Sequence, residues 1–364
     1  MHWKLFFTIV AAAVTAALIF RWLWPLVCRP LASAHSRLPK DESRTRDQVK
    51  AGVPQQSVVF LDILGFKAYT GIDTVAAAQL LLDYNNAINT KLADMAQFPG
   101  AAYLDQGLRQ LAQAGEVGSF EVFLPCSDSA FIISNQPDLL VRQVSRFLID
   151  SFAFTSDAFA HPENEADPTT VTIAEISPVG IRRRFQERWF PLLFRGGIAY
   201  GDVLTLQVTG IGQNGRMNTT NLAGTAVVNA VGLEKTGKGP RLFSRADFYE
   251  QLNAEFRALF AQISADCYEL LWPMLLYHDP NSPDADINHF SDLFLPAANL
   301  YQVFRRNADV EPHYREFLKL IIRATTRHFE RHNWLESAQV HIRGRIAAYG
   351  LGEMEANLLA EAQV

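Results

Sequence analysis

The sequence predicts an α+β protein built on an antiparallel sheet with helices on one face. Three observations predict it. Residues 57–63 carry the apolar run Val58-Val59-Phe60-Leu61, which reads as a strand. Residues 119–134 (SFEVFLPCSDSAFIIS) read as two short strands around the small polar turn Cys126-Ser127-Asp128-Ser129. Helical periods separate these strands from each other and from a third strand-like stretch, Phe194 to Val208. The resulting order, β-α-ββ-α-β, is that of a ferredoxin-like arrangement.

The first 30 residues stand apart. Leu5 to Val27 is apolar save for Thr8, Thr15 and Arg21, long enough to cross a bilayer if Arg21 snorkels to an interface. Trp22 and Trp24 suit the interfacial belt. Positive charge is heavier after the run (Arg21, Arg29, Arg37, Lys40, Arg44, Arg46, Lys50) than before it (Lys4), which places the body in the cytoplasm, at the inner membrane if the source is bacterial. A cleaved secretory signal is the rival reading, because Ala32-Ser33-Ala34 resembles a cleavage site. Residues 31–56 are polar and read as a linker.

After the first strand, residues 73–95 repeat apolar positions at helical spacing, with Asp73 as N-cap. Leu139 to Phe154 is a second helix. Residues 155–190, acidic and Pro-containing and then basic and aromatic, read as an insertion. Ala223 to Lys235 is helical, Arg241 to Phe243 is a short strand, and from Ala246 the chain is mainly helical, broken at Asp279 to Pro283. The division is thus an anchor over 1–30, a linker over 31–56, a sheet domain over 57–245 and a helical region over 246–364.

Composition narrows the function. Of 364 residues, 49% are hydrophobic and 20% charged, and the net charge is −5, so no basic excess points to nucleic acid. Three scattered cysteines, Cys28, Cys126 and Cys267, argue against a disulfide framework and for a reducing compartment.

Two carboxylates draw attention. Asp62 ends the first strand and Asp128 sits at the hairpin tip, and in this topology those strands are neighbours. Two unpaired carboxylates at close range repel unless one is protonated or a cation lies between them. Mg²⁺ favours such a site: one or two carboxylates, waters and substrate phosphates. The backbone carbonyl of Ile63 can add a ligand, and the turn Ile63-Leu64-Gly65-Phe66 offers backbone N–H groups to a phosphate. Two metals and a phosphate cradle describe an in-line displacement at phosphorus. Taken singly, Asp62 is an ordinary helix cap and Asp128 an ordinary turn residue.

At these residues the sequence resembles the class III nucleotidyl cyclases. VVFLDILGFKAYT is similar to their first metal motif, LPCSDSAFII to the hairpin with their second metal aspartate, and FRGGIAYGDV to the strand that follows. GTAVVNAVGLEK falls where they carry a helix. The four motifs come in the family's order over roughly residues 55–245. Aligned on that helix, the family's catalytic Asn position holds Val228 and its transition-state Arg position Gly232, and the purine-reading Lys is Leu124. The pyrimidine cyclases of the anti-phage system called Pycsar are more similar. They share Ser-Asp-Ser at the hairpin, and the pattern of Gly224, Ala226, Ala230, Leu233, Glu234 and Lys235 followed by Pro240 and Arg241, although their Tyr is Val231 here.

The resemblance implies conversion of UTP or CTP to a 3′,5′-cyclic monophosphate in anti-phage signalling, with two Mg²⁺ or Mn²⁺ ions held by Asp62, Ile63 and Asp128. Lys235 and Arg241 are the candidates for facing the developing negative charge. It also implies a head-to-tail homodimer. An adenylate or guanylate cyclase, a catalytically inactive nucleotide-binding relative and a membrane scaffold are the alternatives.

Other motifs carry less. Gly210 to Gly215 matches a dinucleotide fingerprint but lacks the helix that should follow, so a hairpin loop is expected. His328, Glu330 and His332 read as a solvated helix face, and Arg182 to Arg184 as a charged surface helix or a lipid contact. Arg195 reaches either phosphate or a neighbouring acid, and Lys67 and Lys238 flank candidate phosphate turns.

Overall fold

The computed structural model describes residues 52–97, 122–160, 169–177, 180–212, 215–277 and 283–360. The anchor, most of the linker and the break at Asp279 to Pro283, apart from Pro283 itself, lie outside the described residues. Among the described residues no helix is long and apolar enough to cross a membrane.

In chain order the strands are β1 (Gln55–Ile63), β2 (Val122–Cys126), β3 (Ser129–Ser134), β4 (Thr170–Ser177), β5 (Gly180–Arg188), β6 (Phe194–Asp202), β7 (Leu204–Gly212), β8 (Gly215–Ala223), β9 (Leu242–Arg245), β10 (Phe260–Ser264) and β11 (Cys267–Leu270). The helices that matter here are α1 (Phe66–Ile72), α2 (Thr74–Gln97), α3 (Pro137–Ala160), α4 (Thr225–Leu233), α5 (Phe290–Phe304), α6 (Glu311–Arg331) and α7 (Leu335–Ala348). The described sheet has the order β10-β11-β9-β6-β1-β3-β2. Its middle, β6-β1-β3-β2, is antiparallel and is the expected ferredoxin-like core. β9 then adds in parallel to β6.

The apolar run of β1 explains why it is central. Val59, Leu61 and Ile63 face a core shared with Leu80 and Tyr84 of α2 and Val144, Phe147 and Phe152 of α3. Val58 and Phe60 face the other way, against Ile133, Ala199, Ala226 and Ala230. A strand buried on both faces reads as a continuous apolar run rather than an alternation. Here the structure corrects the expectation of helices on one face, because α4 covers the opposite one. It lies close: a Cβ on Gly197 of β6 would meet the Ala230 carbonyl oxygen at 2.2 Å, so only glycine fits there.

Local chemistry sets the boundaries. Asp73 Oδ1 accepts hydrogen bonds from the Val75 and Ala76 N–H groups at 2.9 and 3.1 Å, the N-cap expected for α2. Gly210 to Gly212 end β7 and Gly215 opens β8, paired antiparallel as a hairpin requires, while Gln213 and Asn214 lie outside the described residues. Three segments differ. Phe194 to Val208 is not one strand: the chain leaves the main sheet at buried Val203, whose N–H bonds to the Pro54 carbonyl, and enters the separate β7–β8 ribbon. Arg182 to Arg184 lie on β5, paired with β4, rather than on a helix. The region after Ala246 adds two further sheet strands, β10 and β11, after two single helical turns. Its helices then join the main core, with Phe290, Leu293, Phe317 and Ile321 packed in the same cluster as β1 and α3.

Candidate functional site

Asp62 belongs to the face of β1 that carries Val58 and Phe60, at the strand's open end. Its register partners are Ser129 on β3 and Arg195 on β6. Both reach it. Ser129 Oγ donates to Asp62 Oδ1 at 2.8 Å, and Arg195 Nε and Nη2 both donate to Oδ2 at 3.2 Å. Arg195 Nη2 also pairs with Glu234, a largely buried residue just after α4. An ionised carboxylate offers about four lone-pair sites, so these bonds orient Asp62 without exhausting it.

Asp128 approaches from the hairpin. Its carbonyl accepts the Ile63 N–H at 2.8 Å, which ties the tip to the end of β1. Ser127, beside it in the two-residue turn, has φ 59°, a left-handed conformation that costs a non-glycine residue free energy. The Tyr84 hydroxyl donates to the Ser129 carbonyl at 3.2 Å. Burial raises its pKa, and Cys126, Asp128 and Asp62 raise it further. Among the described residues no group of three or more His, Cys, Asp and Glu could hold a metal alone. Two carboxylates completed by phosphate oxygens remain a fit donor set for Mg²⁺.

The phosphate turn is narrower than the sequence implied. Leu64 N–H bonds to the Leu193 carbonyl at 2.7 Å and Ile63 N–H to Asp128, so neither serves an anion. The cradle reduces to Gly65, left-handed at φ 80°, and Phe66, the first residue of α1.

The two candidate cations are placed differently. Lys235 is exposed on the short 3-10 turn Glu234–Thr236. Arg241 is gripped by the fully buried Glu269 through both Nε and Nη2, and its Nη1 lies 3.4 Å from Glu316. Arg323 holds the same Glu269. Of the positions where the resemblance breaks down, Val228 is 71% exposed and Val231 36% exposed. Lys238 is exposed, and His328 pairs with buried Asp286 at 3.6 Å instead of forming part of a solvated face.

Sequence reading missed Glu234 and Tyr84 as site residues and left Arg195 open. The register was the missing signal: once β6 lies beside β1, Arg195 has to face Asp62.

No family model matches the chain, and no curated relative does. Among solved structures, the chain is similar to adenylyl and guanylyl cyclases. An adenylate cyclase of Trypanosoma brucei, solved in its monomeric state, is 17% identical with a TM-score of 0.33, over 59% of this chain and 87% of that one. The guanylyl cyclase Cya2 is 12% identical with a TM-score of 0.37, over 60% and 92%. The adenylyl cyclase CyaB from P. aeruginosa is 15% identical with a TM-score of 0.34, over 59% and 93%. At these identities and TM-scores, what the site can do rests on its own residues.

Proposed function

We propose that the protein is a nucleotidyl cyclase. The observation that carries this reading is the placement of Asp62 at the end of β1 beside the turn that bears Asp128, whose carbonyl accepts the Ile63 N–H. Asp62, Asp128 and the Ile63 carbonyl are the residues that would hold two Mg²⁺ or Mn²⁺ ions. Bound there, the ions would neutralise the triphosphate and make the attacking hydroxyl more acidic. Ser129 and Arg195 fix the rotamer of Asp62. Gly65 and Phe66 would face the phosphates, and exposed Lys235 is the candidate cation for them.

In the reaction, the substrate's 3′-oxygen bonds to the α-phosphorus, the bond from that phosphorus to the β-bridging oxygen breaks, pyrophosphate leaves, and the hydroxyl proton passes to solvent. UTP or CTP is the proposed substrate, on the sequence likeness of the hairpin and of the helix after β8. A homodimer, an anchor over Leu5 to Val27 with the body in the cytoplasm, and a role in anti-phage signalling belong to the same proposal.

A second reading has its own support. Exposed Val228 and Val231, and an Arg241 tied to Glu269, favour a cyclase-like protein that binds nucleotide without turnover. The test is the full-length protein with Mg²⁺ or Mn²⁺ and each of the four NTPs, its products identified by mass spectrometry. A cyclic pyrimidine monophosphate that disappears in the Asp62→Ala, Asp128→Ala double variant is the expected result. A cyclic purine product would move the substrate. Metal-dependent NTP binding without product would establish the second reading, and no binding at all would leave a scaffold.

A further inference from the structure

The C-terminal helices carry no chemistry of their own in the sequence, yet α6 touches both backbone segments that flank the site. Its consecutive residues His313 and Tyr314 reach in two directions. The Tyr314 hydroxyl bonds the Tyr69 hydroxyl at 2.8 Å in a fully buried contact. Tyr69 stacks on Phe190 at 4.2 Å, and its ring edge lies 3.1 Å from where a Cβ on Gly65 would be. Tyr314 itself stacks on Phe304 of α5 at 5.4 Å. A continuous wall therefore runs from the C-terminal core to the back of the Gly65 turn.

On the other side, His313 Nδ1 accepts the Gly239 N–H at 3.0 Å. Gly239 has φ +86°, and a Cβ there would lie 2.9 Å from Glu316 Cβ and 3.1 Å from the His313 carbonyl oxygen. The loop from Glu234 to Arg241 is thus pressed against α6 where only glycine fits. This loop carries Glu234, which holds Arg195, and Lys235, Lys238 and Arg241. One turn further along α6, Glu316 reaches Arg241, and Lys319 reaches Glu316 at 3.1 Å. His313 is kept neutral by burial, with Lys238 and then Arg195 adding to the effect, so Nδ1 stays an acceptor at neutral pH.

We propose that α6 is a positioning element for the site: His313 holds the Glu234–Arg241 loop and Tyr314, through Tyr69, holds the Gly65 turn, so that the two sides keep a fixed separation around a nucleoside triphosphate. This rests on the cyclase reading for its consequence but not for its geometry. Neither residue touches the reacting atoms, and both act through backbone segments that do the binding.

The experiment compares full-length wild type with His313→Leu, His313→Asn and Tyr314→Phe by amide hydrogen exchange and by steady-state kinetics. Asn keeps an acceptor near the place of Nδ1, and Leu does not. His313→Leu should raise exchange over residues 234–241 about tenfold, the scale of one lost hydrogen bond, and lower kcat by a similar factor with little change in KM. His313→Asn should restore both. Tyr314→Phe, which keeps the ring and its packing, should raise exchange over residues 63–70 alone. Unchanged exchange in His313→Leu, or an equal loss in His313→Asn, would overturn the proposal. If the wild type turns over no NTP, the kinetics speak against the cyclase reading, while the exchange data still decide the brace. If His313→Leu does not fold, the Asn and Phe variants decide it: exchange in Tyr314→Phe no higher than wild type over 63–70 overturns the brace.

Discussion

Two clusters of acids and arginines hang from the same sheet and use the same chemistry to different ends. In the first, Asp62 and Glu234 share Arg195 at an open strand end, with side-chain exposures of 19%, 9% and 30%. In the second, Glu269 has no exposure and sits between Arg241 and Arg323, which keep 13% and 15%. Water can reach the first cluster, so its arginine can trade places with another cation at modest cost. The second cannot release a member without stranding a charge in the interior. The difference teaches that an arginine beside a strand-end acid is a site signal only where solvent, and so a ligand, can enter.

The largest expected effect breaks the buried cluster. Glu269→Ala leaves Arg241 and Arg323 without their shared acid and should cost about 3–5 kcal/mol of stability, read by urea unfolding. Replacing all three with apolar residues of similar size (Glu269→Leu, Arg241→Met, Arg323→Leu) should recover most of that loss. The triple variant also sharpens the question of Arg241. If it folds and still turns over substrate, Arg241 braces the loop and does not face the transition state.

This contrast also marks what could be read in advance. β1, the β2–β3 hairpin and the Asp73 cap follow from local signals: an apolar run, small turn residues and a capping carboxylate next to a helical period. The face taken by α4 does not, because Ala226 and Ala230 are small enough to pack on either side of a sheet whose centre is apolar on both. β10 and β11 escaped notice because they are four or five residues long, and β10 is exposed over its last three. The grip of Glu269 on Arg241 could not be foreseen, because Glu269 lies 28 residues away on one of those unforeseen strands. Tyr69 and Tyr314, 245 residues apart, left no local trace of their contact.

A middle-sized effect comes from His313, whose Nδ1 accepts the Gly239 N–H and which feels the charges of Lys238 and Arg195. Its pKa falls from 6.5 to about 4 in the folded protein, first through burial and then through Lys238 and Arg195. The unfolded chain therefore binds a proton below about pH 6.5 that the native state refuses until about pH 4. Stability that is full above the upper value should drain away as pH falls between the two and level off below the lower one. Partial exposure screens the effect to about 1–2 kcal/mol. Unfolding free energies of wild type and His313→Asn, compared at neutral pH and at pH near 5, should show a smaller acid loss in the variant. Parallel curves would mean that His313 is not held neutral.

The smallest effect tests the open cluster. Arg195→Gln removes the cation that Asp62 and Glu234 share, but the glutamine keeps a donor for them and water reaches Asp62, so the loss without metal should be about 1–2 kcal/mol. The sharper reading is its response to Mg²⁺. With Arg195 gone, Asp62 loses the guanidinium on Oδ2, and a divalent ion gains more by binding there. Added Mg²⁺ should therefore raise the melting temperature of Arg195→Gln by more than it raises that of wild type, and Asp62→Ala in the same background should remove the difference. A stability loss as large as that of Glu269→Ala would make the two clusters equivalent. An equal Mg²⁺ shift in both proteins would mean that the ion does not compete with Arg195 for Asp62, and the open cluster would then be a structural pair that happens to face solvent.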